Sequence, residues 1–68
     1  MGYKNFDFVV WSTGINEPNS AVDMEKQVND FVSTVTVDKV VVNFYDVRFN
    51  KNNPNDMETR KSIDIFYD

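Results

Sequence analysis

The segment Val40-Val-Val-Asn-Phe-Tyr-Asp-Val-Arg-Phe49 constrains this chain more than any other. Its β-branched and aromatic residues favour a pleated, extended backbone, so it is expected as a strand. Val40, Val42 and Phe44 fall on one parity, and Val41, Tyr45, Val47 and Phe49 on the other. Successive side chains of a strand point to opposite faces. A strand that is apolar at both parities therefore asks for cover on both sides of its sheet.

The flanking segments supply a sheet for it. Tyr3 to Trp11 alternates with Phe6, Phe8 and Val10 on one face and Asn5, Asp7 and Val9 on the other. Arg60 to Tyr67 alternates again, with Ile63, Ile65 and Tyr67 opposed to Arg60, Ser62 and Asp64. Between the first two strands, Ser20 is a good N-cap and Asp23 sits three residues on, as in a capping box. Ala21, Met24, Val28, Phe31, Val32 and Val35 then recur at three- and four-residue spacing. This predicts an amphipathic helix of about three and a half turns. The β-branched run after Val32 ends it near Ser33 or Thr34. Ser12 to Asn19 reads as a loop punctuated by Gly14 and Pro18, and Asn50 to Asp56 as a hairpin turn. Four of the nine asparagines lie in that turn, at positions 50, 52, 53 and 55.

The expected fold is α+β, of β-α-β-β order, in one small domain spanning residues 1–68. It comprises a three-stranded mixed sheet, an antiparallel hairpin of the second and third strands, and the amphipathic helix packed on one face. A right-handed crossover makes the first and second strands parallel. The third strand is expected between them, in preference to the first lying directly beside the second.

The chain is poor in reactive groups. It has neither cysteine nor histidine, so disulfides, thiolate metal sites and the commonest general base are absent. Ser12, Ser20, Ser33 and Ser62 read as turn, cap or strand-face residues, and the only glycines, Gly2 and Gly14, form no phosphate-binding loop. The polar turn Asn50 to Asp56, flanked by Asp46 and Glu58, lacks the central glycine and closing glutamate of a calcium loop. Asp7 and Asp64 could form a carboxylate pair across neighbouring strands, but acids alternating along a solvated face are far commoner. No enzyme activity, catalytic residue, metal ligand or cofactor is therefore expected. With eleven acidic and seven basic side chains the net charge is −4, which opposes binding to duplex nucleic acid. The apolar runs Phe8 to Trp11 and Val40 to Val42 are too short to span a membrane, and Met1 to Asp7 shows no secretory pattern. A cytoplasmic location without membrane partners is the expectation.

What the sequence offers instead is excess apolar surface. If the helix covers Phe6, Phe8, Val10, Val40, Val42, Phe44, Ile63, Ile65 and Tyr67, the opposite face keeps Val9, Trp11, Val41, Tyr45, Val47, Phe49 and Phe66. A contiguous patch of that kind marks an interface, with Trp and Tyr as typical anchors. A homodimer would supply burial that a short chain without staples lacks, and the sheet edges could accept another strand. The alternative use of this face is to bind a ligand or single-stranded nucleic acid by stacking on Tyr3, Trp11, Tyr45 and Phe49. Lys4, Arg48, Lys51, Arg60 and Lys61 are the cations near enough to hold phosphates.

The segment Asp23-Met-Glu-Lys-Gln-Val-Asn-Asp-Phe-Val32, followed by Asp38-Lys-Val-Val-Val-Asn-Phe-Tyr45, resembles the small sporulation-associated and prophage-borne proteins of Gram-positive bacteria. The likeness covers about two-thirds of the chain, while the loop from Ser12 to Asn19 is longer than that pattern expects. It carries no site residues over. It implies a phage or mobile-element setting and a non-enzymatic role, such as an inhibitor or regulator that occupies a partner's surface.

Overall fold

The computed structural model describes residues 1–13, 17–48, 52 and 56–68. Strand β1 (Gly2–Ser12), helix α1 (Ala21–Val32), strand β2 (Val37–Arg48) and strand β3 (Met57–Tyr67) follow one another in that order. They form an α+β unit whose sheet runs β1-β3-β2. Both ladders, β1 with β3 and β2 with β3, are antiparallel. The expected mixed sheet is thereby corrected. β1 and β2 point the same way, but β3 lies between them and leaves no parallel pair in contact.

Local chemistry sets the helix ends. The Ser20 hydroxyl accepts the Asp23 N–H at 3.0 Å, satisfying one of the orphan donors of the first turn. The Asp23 carboxylate does its work forward along the helix, accepting the Gln27 amide at 2.9 Å. Lys26 pairs with Asp30 at 2.8 Å on the solvent side. At the other end the Ser33 and Thr34 hydroxyls donate to the carbonyls of Asp30 and Phe31. The Phe31 carbonyl also accepts the Thr34 N–H at 3.0 Å, which tightens the last turn. The β-branched residues that follow then lead into β2, which starts at Val37 rather than Val40.

In the register, Phe6, Ile63 and Val42 stand side by side, as do Phe8, Lys61 and Phe44, and Lys4, Ile65 and Val40. Directly opposed residues share a face, so these rows define the side of the sheet that carries α1. The buried apolar core is Phe8, Ile63 and Ile65, with Phe6, Met24, Val28, Phe31, Val32 and Tyr67 packed around it. Phe31 meets the rings of Phe6 and Tyr67 edge-on at 5.9 and 5.3 Å. Every packed residue comes from β1, β3 or α1. A helix is about 10 Å wide and strands are about 4.8 Å apart, so one helix covers roughly two strands.

The expectation that α1 also buries Val40, Val42 and Phe44 is corrected on that ground. They are 51, 46 and 64 % exposed. The resulting molecule is flat, with extents of 44 × 22 × 12 Å. Its radius of gyration is 14.2 Å, where a compact chain of this length would have about 11 Å.

Candidate functional site

The face of the sheet turned away from α1 is a ladder of polar pairs. The Tyr3 hydroxyl donates to Asp64 Oδ1 at 2.5 Å, and the Asn5 amide donates to Ser62 Oγ at 3.0 Å and Asp64 Oδ1 at 2.8 Å. The Tyr45 hydroxyl donates to Asp7 Oδ2, and Arg60 lies 3.9 Å from Asp7 Oδ1. Arg60 Nε also donates to Glu58 Oε1 at 2.6 Å, and Glu58 is 2 % exposed, the one buried charge among the described residues. These contacts shift titrations in the expected senses. Donation to Asp64 and to Asp7 raises the Tyr3 and Tyr45 pKa values, while Tyr3 and then Asn5 hold Asp64 below the usual carboxylate range. The Glu58 carboxylate raises Arg60 further.

Against this network the residues expected at an interface divide. Val9, Val41 and Val47 lie on the polar face, half-buried among the pairs, and Tyr45 and Phe66 lie there at the margin of exposure. Phe66 packs on the Tyr3 ring at a centroid distance of 5.1 Å. Trp11 does not join them. The register slips between Val9 and Trp11, so that Val9 opposes Arg60 whereas Trp11 opposes Thr59. The Thr59 hydroxyl donates to Asp46, and both belong to the side that carries α1. A bulge inserts one unpaired residue, here Val10, and so transfers the next side chain to the other face. Phe49 lies outside the described residues, as does most of the turn from Asn50 to Asp56.

The stacking platform of Tyr3, Trp11, Tyr45 and Phe49 is therefore not assembled on one described surface. Tyr3 and Tyr45 are each tied to a carboxylate, and carboxylates repel the phosphates that a nucleic acid would bring. Asp7 and Asp64 are not paired with each other. Asp7 is matched to Ser62 and Asp64 to Asn5 in the ladder, and each acid has its own hydroxyl donor. Among the described residues no group of three or more acidic side chains converges as a metal site, and no helix is long and apolar enough to cross a membrane.

The exposed apolar surface is on the other side, along β2. Val40, Val42 and Phe44 make a continuous stripe beside α1. Lys61 reaches over it, with Nζ 5.8 Å from the Phe44 ring centroid. Between α1 and β3 lies a groove of about 290 Å³, lined by Ala21, Met24 and Val28 of α1 and by Lys61 and Ile63 of β3, among others. Those two β3 residues are the ladder partners of Phe44 and Val42. Sequence alternation alone missed this site, because it does not say how far a helix reaches. The available signal was the narrowness of the α1 apolar stripe, which Met24, Val28, Phe31 and Val32 nearly exhaust.

The two sheet edges also differ. On β1, Asn19 imitates a neighbouring strand: its backbone N–H donates to the Val9 carbonyl at 2.7 Å, and its side-chain oxygen accepts the Val9 N–H at 3.0 Å. The bulge next to this clamp further disrupts that edge. On β2, among the described residues, the one irregularity falls between Val37 and Lys39, and the ladder from Lys39 to Arg48 is unbroken. A long, flat, apolar edge is a template for pairing. Compared with known proteins, the chain matches no protein family, no curated protein and no solved structure.

Proposed function

We propose that this protein is a small, non-enzymatic interaction module whose binding surface is the β2 edge and its Val40–Val42–Phe44 stripe. The observation that carries the reading is the exposure of those three side chains on a sheet edge that no described residue clamps. Strand addition at such an edge draws affinity from main-chain hydrogen bonds and specificity from alternate side chains. Here the stripe and the groove beside α1 would receive those side chains, and the Lys61 ammonium would favour a partner with acceptors at that point. The resemblance to prophage-borne proteins supports a phage or mobile-element setting for the proposed module, as an inhibitor or regulator. The absence of cysteine accords with action in the reducing cytoplasm.

The test is affinity capture and solution mass of the wild-type chain beside Phe44→Lys. Phe44 is exposed, so the variant keeps its core. The wild type is expected to hold a partner, whether another protein or itself, that Phe44→Lys releases. Identical mass and identical captured proteins for the two chains would refute the assignment.

A further inference from the structure

We infer that the occupant of the β2 edge is a second copy of this chain, paired antiparallel about a two-fold axis at Asn43 to give a six-stranded sheet. This rests on the interaction-module reading and names its partner. Three observations converge on it. Only Phe8, Ile63 and Ile65 are buried apolar residues among those described, a thin core for a chain of this size. Five of the ten exposed large apolar side chains among the described residues, Val37, Val40, Val42, Phe44 and Tyr45, lie along β2, an edge on which no described residue plays the part that Asn19 plays on β1. The strand is also complementary to itself.

The last point follows from register. An axis normal to the sheet keeps the two helices on the same side, so each residue meets one of its own parity and one residue lies on the axis. With Val42 on the axis, Asp38 would oppose Asp46 of the second copy, which is repulsive. With Phe44 on the axis, Val40 and Val42 would oppose Arg48 and Asp46, matching apolar groups with charges. With Asn43 on the axis, Val42 meets Phe44 and Val41 meets Tyr45, each twice, and Lys39 meets Val47. Val40 is the one stripe residue set against a charge, Asp46, and Arg48 faces Asp38 at the irregularity between Val37 and Lys39. The two Asn43 amides then face each other on the polar side, where both can donate and accept. On the opposite side Val42 and Phe44 of both copies merge into one apolar floor between the helices. Opposite charges across neighbouring strands favour this register, and like charges disfavour the first.

The chain contains no cysteine, so one introduced thiol reports the axis without ambiguity. Residues facing each other in an antiparallel pair have Cα atoms about 4.5 to 5.5 Å apart, within disulfide range. Wild-type protein at micromolar concentration is expected at twice 7.9 kDa by light scattering, and Asn43→Cys is expected to convert to a linked dimer under mild oxidation. Lys4→Cys, on β1, should remain unlinked. Asp38→Arg or Arg48→Asp alone should weaken association roughly tenfold, and the two together should restore it. A monomer at every concentration would overturn the inference, as would linkage through Lys4→Cys as fast as through Asn43→Cys. If the chain is monomeric yet captures another protein in a Phe44-dependent way, the second copy is refuted and the module reading survives. If neither mass nor capture depends on Phe44, both fall.

Discussion

Ile65 and Val40 stand opposite each other in one ladder, on the same side of the sheet, yet their surroundings differ completely. Ile65 is 0 % exposed and Val40 is half exposed. Ile65→Ala removes three carbon groups, worth about 2.4 kcal/mol of transfer at about 0.8 kcal/mol each, plus a cavity contribution. Lys4 and Val40 flank the site and can relax inward, which places the loss near 3 kcal/mol within the roughly 2 to 5 kcal/mol range for such truncations. A chain of this length has about 3 to 10 kcal/mol of stability in all. Ile65→Ala should therefore lower the thermal midpoint by roughly 12 to 24 °C, and leave it close to unfolding at room temperature.

Val40→Ala removes two carbon groups that water already half reaches, so the same arithmetic gives about 0.8 kcal/mol. Urea unfolding followed by circular dichroism, at the lowest protein concentration that gives a signal, measures both. Dilution matters because association stabilises the folded state by mass action. A Val40→Ala cost that grows with protein concentration belongs to the interface rather than to the fold. If Val40→Ala costs as much as Ile65→Ala in dilute solution, α1 covers β2 after all, and the argument for an uncovered stripe fails.

Three further outcomes are expected. Ser20→Ala removes the acceptor of the Asp23 N–H and should cost about 1 kcal/mol, read as a lower urea midpoint with an unchanged slope. At Gly2, an added Cβ would lie 2.3 Å from the Tyr67 ring, so Gly2→Ala must push that ring off Phe31. The penalty is roughly 1 to 3 kcal/mol, and a loss of Tyr67–Phe31 contacts in proton NMR checks the cause. The Tyr3 and Tyr45 pKa values are raised above 10.0. Their hydrogen bonds contribute stability that is complete below that pH and is lost as pH rises through the folded-state values. The lowered Asp64 pKa works in the opposite sense, contributing above 3.8 and fading as pH falls. Tyr3→Phe and Tyr45→Phe together should flatten the alkaline limb of a stability–pH curve, and an unchanged limb would show that these pairs contribute nothing.

Much of the architecture was legible in the sequence because it is local. The Ser20 cap, the apolar spacing from Met24 to Val32 and the alternation around Ile63 and Ile65 each follow from one element's own chemistry. The third strand's central position also agrees with its composition, since β3 carries two of the three buried apolar residues. What was not legible depends on relations between elements. Trp11 obeys the alternation of its own strand in the sequence, and only pairing with β3 exposes the slip that turns it to the other face. Tyr45 looked like an interface aromatic, but its hydroxyl is committed to Asp7, thirty-eight residues away. Val40, Val42 and Phe44 were expected under the helix and are exposed beside it, because parity cannot say that one helix packs on β1 and β3 and leaves β2 bare.

That reassignment changes what kind of contact the chain can make. A patch in the middle of an open sheet face invites a flat partner laid across it, held by side chains alone. A stripe on an edge strand offers main-chain donors and acceptors in the same few residues as the apolar groups. The opposite edge is occupied by Asn19 at Val9 and distorted by a bulge beside it, which hinders strand addition at that end of β1. A sheet with one obstructed edge and one open edge favours adding a strand partner at the open edge. Pairing of two open edges consumes both, so the assembly terminates at two copies instead of propagating. If the two open edges pair, the asymmetry between β1 and β2 would favour stopping at two copies, and it ties that restraint to Asn19. Replacing Asn19 by Ala would reopen the Val9 groups, and a shift from discrete dimers to larger species in light scattering is the consequence.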